Sequence, residues 1–340
     1  MASTIKEVAK LANVSTSTVS AVLNGRFAVK SETYERIMKA IEELDFRPNA
    51  LAKGLRMNTS KTIGLVIPTI INPYFPRIAY GVEATAREYN YHVFLCNSER
   101  QRDRQREYLQ TAVSKAMDGI ILCNIDPDIE DLKKLDENRI AVASTEPIAI
   151  EYADIVQIDH AMVARKAVSY AVSLGHEHIA FINNDIKTYR AIERDRAIRE
   201  VYADYGMDIG EHMYMYHRSP SPQYVKDCMD DILSKTNRPT CIISMSEVAV
   251  PAMHYALAKG LKIPDDISFI STDNAVESYP AMTGVDYNGY ELGRLLAEKV
   301  INRSVSAERI PKTTTFIEQR FINGGTLKSL NGGNVDFSKA

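Results

Sequence analysis

From Lys61 onward the sequence alternates between short apolar runs and longer segments in which apolar residues recur at helical spacing. The runs have the length of strands, and they are mostly apolar throughout, as expected for parallel strands that are covered on both faces. Because parallel strands need crossover segments, this alternation predicts a parallel α/β architecture. Residues 61–325 exceed one compact α/β unit, so two lobes are expected. The runs occupy residues 62–68, 91–97, 118–123, 140–144, 178–183, 213–216, 240–245 and 267–271.

Residues 1–46 follow a different sequence pattern, which predicts three short helices and no strand. Thr4 and Glu7 have the spacing of a capping box at the start of the first helix. Ser15 is a suitable N-cap for the second helix, and Asn24 with the glycine after it ends that helix. Two short helices joined by a tight turn and braced by a third predict a helix-turn-helix unit.

The second of these helices begins in a cluster of hydroxyl side chains, with Thr16, Ser17 and Thr18 on its exposed side. Small hydroxyls allow a helix to approach DNA closely, donate hydrogen bonds to phosphates and contact base edges. The alternative is a hydroxyl-rich helix start that binds nothing. The three-helix context favours a recognition helix that enters the major groove.

The charge is distributed unevenly along the chain. Residues 1–60 contain nine Lys/Arg and six Asp/Glu, although the whole chain has a net charge of −3. A locally basic segment of this kind is typical of a surface that faces phosphates. The four cysteines lack metal-site spacing and indicate reduced, buried thiols. With no signal-peptide pattern and no apolar run of membrane-spanning length, we expect a cytoplasmic protein without membrane contact.

Residues 47–60 connect the three-helix segment at 1–46 to the α/β segment that begins at Lys61. The turn or two of helix that it can form is too short to be stable alone, and Gly54 weakens it further. Such a segment suits a linker that orders on a partner, in which Leu55, beside Lys53 and Arg56, wedges into a minor groove. An ordinary interdomain linker is the alternative.

These motifs resemble the LacI family of transcription regulators. The DNA-binding signature of that family is matched by TIKEVAKLANVSTSTVSAVLNG, and its third helix and hinge by AIEELDFRPNALAKGLR. The core motifs IGLVIPTIINPYF, MDGIIL, LGHEHIAFI, GLKIPDDISFISTDN and YELGRLLAEKVINR are similar as well, so the resemblance extends from residue 3 to about residue 325. It implies a headpiece at 1–46, a hinge helix and linker at 47–60, and a dimerising two-lobed core at 61–325.

The expected fold is therefore an α/β two-lobed core like that of periplasmic binding proteins, with parallel sheets, preceded by an all-α helix-turn-helix headpiece. By this resemblance the N-terminal lobe takes about 61–160 plus 285–317, and the C-terminal lobe takes about 161–284 plus 318–325. Residues 326–340, which contain two adjacent glycines between asparagines, are predicted to be disordered.

The resemblance implies a repressor that binds a near-palindromic, double-stranded DNA operator as a homodimer. Ala21 stands where members of the family often carry Arg or His, and alanine offers a base only an apolar contact. The operator should therefore differ from the common family site at that position. The residues expected to contact DNA are Thr4, Ser15, Thr16, Ser17, Thr18, Ala21, Asn24, Arg26, Ala52, Lys53 and Leu55.

The resemblance also implies a small-molecule effector in the cleft between the lobes. Arg194 and Asp273 fall on the effector arginine and aspartate of the family, although Arg194 also lies in a charge run typical of a solvated helix face. Ser246, with the methionine before it, replaces a common Asn-Asp pair, which favours a sugar phosphate or another anionic metabolite over a free sugar. The residues expected to bind the effector are Asn72, Tyr74, Phe75, Arg194, Ser246 and Asp273.

Other functions remain open in the sequence to different degrees. Control by a protein co-regulator, or the lack of any effector, is compatible with the same motifs. A solute-binding protein fits the core but leaves the headpiece without a purpose. An enzyme is disfavoured because no G-x-S-x-G, G-x-G-x-x-G or Walker A motif follows a strand, and no cofactor is expected. His176 and His178 indicate a solvated turn rather than a metal site.

Overall fold

The structure is a computed structural model of the 340-residue chain. It describes residues 3–23, 30–46, 59–184, 188–209, 213–216, 221–273, 281–306, 308 and 310–336. The chain divides into two compact units, residues 1–61 and residues 62–340. Each unit is described by itself. Among the described helices, none combines the length and the apolar character needed to cross a bilayer.

The elements follow one another in the alternating order that the apolar runs predict. The strands are β1 Thr62–Ile67, β2 His92–Asn97, β3 Gly119–Leu122, β4 Ala141–Ser144, β5 Asp154–Gln157, β6 Ile179–Asn184, β7 Met213–Tyr216, β8 Cys241–Ser244, β9 Ser268–Ser271, β10 Thr283–Asp286, β11 Thr314–Phe316 and β12 Arg320–Ile322. The helices in the described residues are α1 Ile5–Leu11, α2 Thr16–Leu23, α3 Ser31–Glu43, α4 Tyr74–Glu88, α5 Arg102–Ser114, α6 Ile129–Glu137, α7 His160–Ser173, α8 Tyr189–Asp204, α9 Pro222–Ser234, α10 Ser246–Ala258 and α11 Gly289–Val305.

The N-terminal unit packs α1, α2 and α3 around a small core. Thr4 and Glu7 form the predicted capping box, in which the Thr4 side chain accepts from the Glu7 backbone and Glu7 accepts from the Thr4 backbone. Val8, Val19 and Ile37, one from each helix, are fully buried at the centre. Each helix is short, so this shared core supplies most of their stability.

The larger unit contains two six-stranded sheets, in the orders β11-β5-β4-β3-β1-β2 and β12-β10-β9-β8-β6-β7. Their neighbouring strands pair in parallel, except that β12 is antiparallel to β10. The first sheet, with α4, α5, α6 and α11, forms the N-terminal lobe, and the second, with α7 to α10, forms the C-terminal lobe. The chain passes between the lobes after β5, after β10 and after β11. This is the predicted two-lobed α/β architecture.

The prediction that residues 326–340 are disordered is wrong for residues 326–336. Thr326 is fully buried and Leu327 is 5% exposed. The Leu330 amide donates to the Leu174 carbonyl at 2.8 Å, and the carbonyl of Lys328 lies 3.0 Å from Nε2 of His176. The segment has few apolar residues, but hydrogen bonds fasten it to the C-terminal lobe. Residues 337–340 lie outside the described residues.

Two glycines allow α4 and α11 to pack with their backbones in contact. A Cβ added at Gly81 would lie 2.1 Å from the Tyr290 carbonyl oxygen, and one added at Gly293 would lie 2.1 Å from the Ile78 carbonyl oxygen. Real side chains cannot approach so closely, and the obstacles are backbone atoms that have no rotamer to change. Both positions therefore require glycine for this pair of helices to meet.

We expect Gly293→Ala to lower the free energy of unfolding by about 1–3 kcal/mol, because the added methyl forces α4 and α11 apart. Gly325→Ala is the matched control, since a methyl there meets no described heavy atom within 4 Å. Urea denaturation of the three proteins measures the difference. Equal stability of the Gly293 and Gly325 variants would contradict the close packing.

Candidate functional site

The recognition helix predicted from the sequence presents its hydroxyls to solvent. Ser15 caps α2, because its Oγ accepts from the Thr18 amide at 3.1 Å. The same Oγ lies 2.6 Å from Oγ of Ser17 and 2.8 Å from Oγ1 of Thr18. Thr16 and Ser17 are exposed, whereas Val19 is buried in the core. The start of α2 therefore exposes polar side chains to solvent, while Val19 on the opposite side anchors the helix in the core.

The other residues expected to contact DNA are distributed unevenly over the structure. Ala21 is half-buried on α2, and Thr4 is exposed while its side chain takes part in the capping box of α1. Outside the described residues lie Asn24, Arg26, Ala52, Lys53 and Leu55. Their roles stay predictions.

The predicted effector residues converge where the carboxyl ends of strands from both sheets face each other. Arg194 comes from α8, Asp273 follows β9, Ser246 begins α10, and Asn72 precedes α4. Ligands of open parallel sheets bind beyond the carboxyl ends of the strands. The structure therefore brings these side chains to the edge where a ligand is expected.

Arg194 is a buried residue, only 3% exposed, and not part of a solvated helix face. Its Nε donates to Oδ1 of Asn183 at the end of β6, at 3.1 Å. A guanidinium in such a place keeps its charge, so it must be balanced by polar neighbours or by a ligand. The solvated alternative that the charge run left open does not hold.

Asp273 is 6% exposed and its Oδ1 accepts from the Ser246 amide at 2.5 Å. Burial raises the pKa of the Asp273 carboxyl, and the hydrogen bond from Ser246 partly offsets that rise. Ser246 thus contributes its backbone N–H, which every residue type except proline would supply, and a hydrogen bond from its side chain also lowers the pKa of Asp273. The sequence pattern could not reveal this role.

Two contacts to Glu247 join the lobes on one side of the cleft. Oε2 of Glu247, in α10 of the C-terminal lobe, lies 3.4 Å from Nδ2 of Asn72 and 3.7 Å from Nη2 of Arg100. Both of these partners belong to the N-terminal lobe. Glu247 and Arg100 were missed in the sequence, although each comes three residues after the end of a strand, β8 and β2 respectively, on the side where the cleft lies.

A second ion pair joins the lobes with the charges reversed. Oε1 of Glu146, which follows β4 in the N-terminal lobe, lies 3.3 Å from Nε of Arg190 in α8 of the C-terminal lobe. Burial raises the pKa of Glu146, and the positive charges of Arg190 and Arg194 oppose that rise. This pair was also missed, because nothing local in the sequence connects two residues so far apart.

The side chains of Tyr74 and Phe75 are buried in the core rather than exposed to solvent. They are 7% and 3% exposed, and their rings pack edge to face with centroids 5.2 Å apart. Tyr74 also packs against Tyr287 at 5.8 Å, and Tyr287 against His160 at 5.7 Å. The four rings form a wall at the base of the cleft, in which they pack edge to face against one another.

The imidazole of His160 is held within this aromatic wall. Its Nδ1 lies 3.3 Å from the Tyr287 hydroxyl, and burial lowers the pKa of His160 well below its ordinary value. The nearby Arg194 and Arg190 lower it further. His160 is therefore neutral at pH 7, and the positive charge in the cleft comes from arginines.

A small cavity lies beside Arg194 within the C-terminal lobe. Its volume is about 20 Å³, and it is bordered by Asn183, Ser244, Met245 and Thr272 together with apolar side chains of the same lobe. That volume holds about one water molecule.

Comparison with known proteins gives consistent matches over the whole chain. Residues 60–323 match the family described as "Periplasmic binding proteins and sugar binding domain of LacI family", and residues 4–49 match "Bacterial regulatory proteins, lacI family". Catabolite control protein A of Priestia megaterium is 28% identical over 325 residues, which cover 93% of this chain and 97% of that protein.

Two further matches agree with these. The transcriptional repressor PurR of Histophilus somni is 31% identical over 301 residues, covering 85% of this chain and 89% of that protein. The lac repressor dimer, solved with its operator and an anti-inducer, superposes with a TM-score of 0.79 at 18% identity, covering 96% of this chain and 99% of that chain.

We expect Asp273→Asn to change the pH dependence of stability in a defined direction. Because burial raises the pKa of Asp273, ionisation costs folding free energy as the pH rises from the unfolded pKa, about 3.9, through the folded one. The asparagine side chain keeps an acceptor for the Ser246 amide but cannot ionise. The unfolding free energy of the variant relative to the wild type should therefore increase with pH, by about 1.4 kcal/mol for each unit by which the pKa is raised.

The control is Asp230→Asn, because a hydrogen bond from Lys226, with one from Tyr255, lowers the pKa of Asp230 to about 2. The relative stability of that variant should fall as the pH rises over the acidic range. Urea denaturation at a series of pH values measures both trends. Trends of the same sign for the two variants would contradict the placement of Asp273.

Proposed function

The chain belongs to the LacI family and is a DNA-binding transcription regulator, and from this premise we propose that it is a homodimeric repressor controlled by a ligand in its interlobe cleft. The observation that supports the DNA-binding face is the exposed hydroxyl cluster at the start of α2, anchored by buried Val19. Because the protein acts on DNA, we propose that it works in the cytoplasm. We also propose that it binds its effector without converting it chemically.

Within this proposal, α2 enters the major groove with Thr16, Ser17 and Thr18 foremost. Ser15 and Thr4 are close enough to the helix starts to contact phosphates through hydroxyls and backbone N–H groups. Ala21 offers a base an apolar contact only. The further contacts proposed are to phosphates or bases at Asn24, Arg26 and Lys53, and to the minor groove at Ala52 and Leu55.

A patch of exposed apolar side chains supports dimerisation. Tyr80 on α4 is 66% exposed, and its ring lies 5.4 Å from that of Tyr290 at the start of α11, which is 41% exposed. Phe94 and Leu95 on the edge strand β2 are also exposed. Apolar patches of this kind mark interaction surfaces. The lac repressor, which has the same fold, was solved as a dimer on its operator, and a two-fold dimer matches a palindromic site.

The effector proposed is a metabolite that carries both an anionic group and hydroxyls, such as a sugar phosphate. Arg190 and Arg194 supply two guanidiniums, the group best suited to bind phosphate. Glu247 and Asp273 are carboxylates that can accept from hydroxyls. An anion that replaces Glu146 beside Arg190 also removes one of the two ion pairs that join the lobes. A ligand can then favour one arrangement of the lobes, which regulation requires.

The ion pairs across the cleft favour a second candidate. Glu247 is paired with Arg100 and Glu146 with Arg190 without any ligand between the lobes. A regulator that responds to a protein co-regulator, or that lacks an effector, would need no other group to join the lobes.

We expect Thr16→Glu and Ser17→Glu each to abolish specific binding to the operator, because a carboxylate at the start of α2 repels phosphate. Met38→Glu is the control, since it adds the same charge to an exposed position of α3 in the same headpiece. Binding is measured by gel shift with DNA selected from genomic fragments. Operator affinity retained in the α2 variants would exclude α2 as the recognition helix.

We expect sugar phosphates to raise the melting temperature of the wild type more than the corresponding free sugars do. At about 100 times its Kd, a ligand stabilises the folded state by roughly 2.7 kcal/mol. Arg194→Ala should erase that shift, whereas Arg196→Ala, an exposed arginine of the same helix, should preserve it. Thermal-shift screening with each compound measures the effect.

A free sugar that stabilises the protein and alters its DNA affinity would overturn the ranking of ligands. If no small molecule acts and Arg194→Ala leaves regulation intact, the second candidate is supported instead.

A further inference from the structure

Glu146 occupies the place in the cleft where a negatively charged ligand would bind. It follows β4 at the carboxyl edge of the first sheet, and its amide donates to Oγ of Ser144 at 3.0 Å. Its Oε1 lies 3.3 Å from Nε of Arg190, which precedes Arg194 by one turn of α8. Both arginines lie within electrostatic range of Glu146 and of the His160 imidazole. The carboxylate is therefore held beside the two guanidiniums proposed to bind the anionic group of the effector.

The charges around these two arginines are balanced. Arg190 faces Glu146, and Arg194 lies within electrostatic range of Asp273 as well as of Glu146. Asp126 adds a further negative charge near Glu146, but it is exposed, so water and salt screen it. Two guanidiniums thus face two carboxylates in the less exposed part of the cleft. Loss of the Glu146 charge leaves one positive charge in excess.

The contact between Glu146 and Arg190 is an ion pair with poor hydrogen-bond geometry. Its 3.3 Å exceeds the roughly 2.7–2.9 Å of a charge-assisted hydrogen bond. In the described part of the chain, no donor forms a hydrogen bond with Oε1 of Glu146, although this oxygen is buried. The side chain is tethered to the N-terminal lobe, whereas a free anion can move until it fits. A ligand that places two oxygens on the arginines can therefore form better hydrogen bonds than Glu146 does.

We propose that Glu146 is a specificity-determining residue, a carboxylate of the chain itself that competes with free anions for Arg190 and Arg194. This inference rests on the anionic effector proposed for the cleft. A tethered group has a high effective concentration, against which a dissolved ion must compete. Inorganic phosphate brings only its own oxygens in exchange for Glu146, so it binds weakly. A sugar phosphate adds hydroxyls for Asp273 and Glu247, and these contacts favour the exchange.

The competition also connects ligand selection to movement of the lobes. Glu146 belongs to the N-terminal lobe and Arg190 to the C-terminal lobe, so a ligand that displaces Glu146 breaks a contact between them. An anion that fails to displace Glu146 leaves this contact in place and does not shift the arrangement of the lobes. One carboxylate therefore both selects the ligand and transmits its binding.

The test compares the binding of inorganic phosphate to five full-length proteins by isothermal titration calorimetry, at pH 7 and constant ionic strength. Glu146→Gln keeps the size of the side chain and removes its charge. It should bind phosphate at least about ten times more tightly than the wild type, which corresponds to about 1.4 kcal/mol. Glu151→Gln is the matched control, because it makes the same change at an exposed position between β4 and β5, and its affinity should equal that of the wild type.

Arg190→Ala separates removal of the competitor from simple loosening of the cleft. It breaks the same ion pair from the opposite side, but it also removes one of the two guanidiniums. Neither Arg190→Ala nor the double variant Glu146→Gln/Arg190→Ala should show the gain in affinity. Phosphate bound elsewhere on the protein contributes equally to all five titrations. An equal gain in Arg190→Ala, or no gain in Glu146→Gln, would overturn the proposal.

The same titrations with a sugar phosphate separate this inference from the proposed function. If no sugar phosphate binds the wild type while Glu146→Gln gains affinity for phosphate, the proposed effector is wrong and competition by Glu146 is supported. If a sugar phosphate binds the wild type while Glu146→Gln gains nothing, the effector is supported and the role of Glu146 is overturned.

Discussion

The contact between α4 and α11 fixes the geometry on which the rest of the N-terminal lobe depends. At Gly81 and Gly293 each helix places its backbone against a carbonyl of the other. Both helices begin at the cleft, so this contact also sets the separation of Tyr74 from Tyr287 in the aromatic wall. On its outer side it brings Tyr80 beside Tyr290 in the exposed patch. One close approach of two backbones thus positions a wall of the cleft and the surface proposed for dimerisation.

The local features of the chain were accessible from its sequence. Apolar runs of strand length gave the parallel sheets, and the spacing of Thr4 and Glu7 gave the capping box, because these signals depend on neighbours a few residues apart. The pairs Glu146–Arg190 and Arg100–Glu247 were not accessible, since they join residues from separate lobes. The order of residues 326–336 was missed for a related reason, because their bonds reach back to residues of α7 and the loop after it.

The sequence also identified Arg194 and Asp273 as members of one site without revealing their surroundings. A charge run does not show which of its members turns inward, and ERDRAIRE contains Arg194 at 3% exposure beside the exposed Arg196. Likewise, the loss of a carboxylate at Met245-Ser246 is visible in the sequence, but Glu247 directly after that pair and Glu146 after β4 both place carboxylates in the cleft. The charge balance of a cleft depends on the arrangement of all the loops, so the departures of single motifs give only part of it.

The three passages of the chain between the lobes have a mechanical consequence. They lie side by side: the Ile317 amide after β11 donates to the Gln157 carbonyl at the end of β5 at 3.0 Å, and Nδ1 of His160 after β5 lies 3.3 Å from the Tyr287 hydroxyl after β10. Three segments bonded side by side bend together more easily than they twist or slide past one another. We therefore expect the lobes to move relative to each other by bending about these segments. A ligand in the cleft would then act on the rest of the core by changing the angle between the lobes.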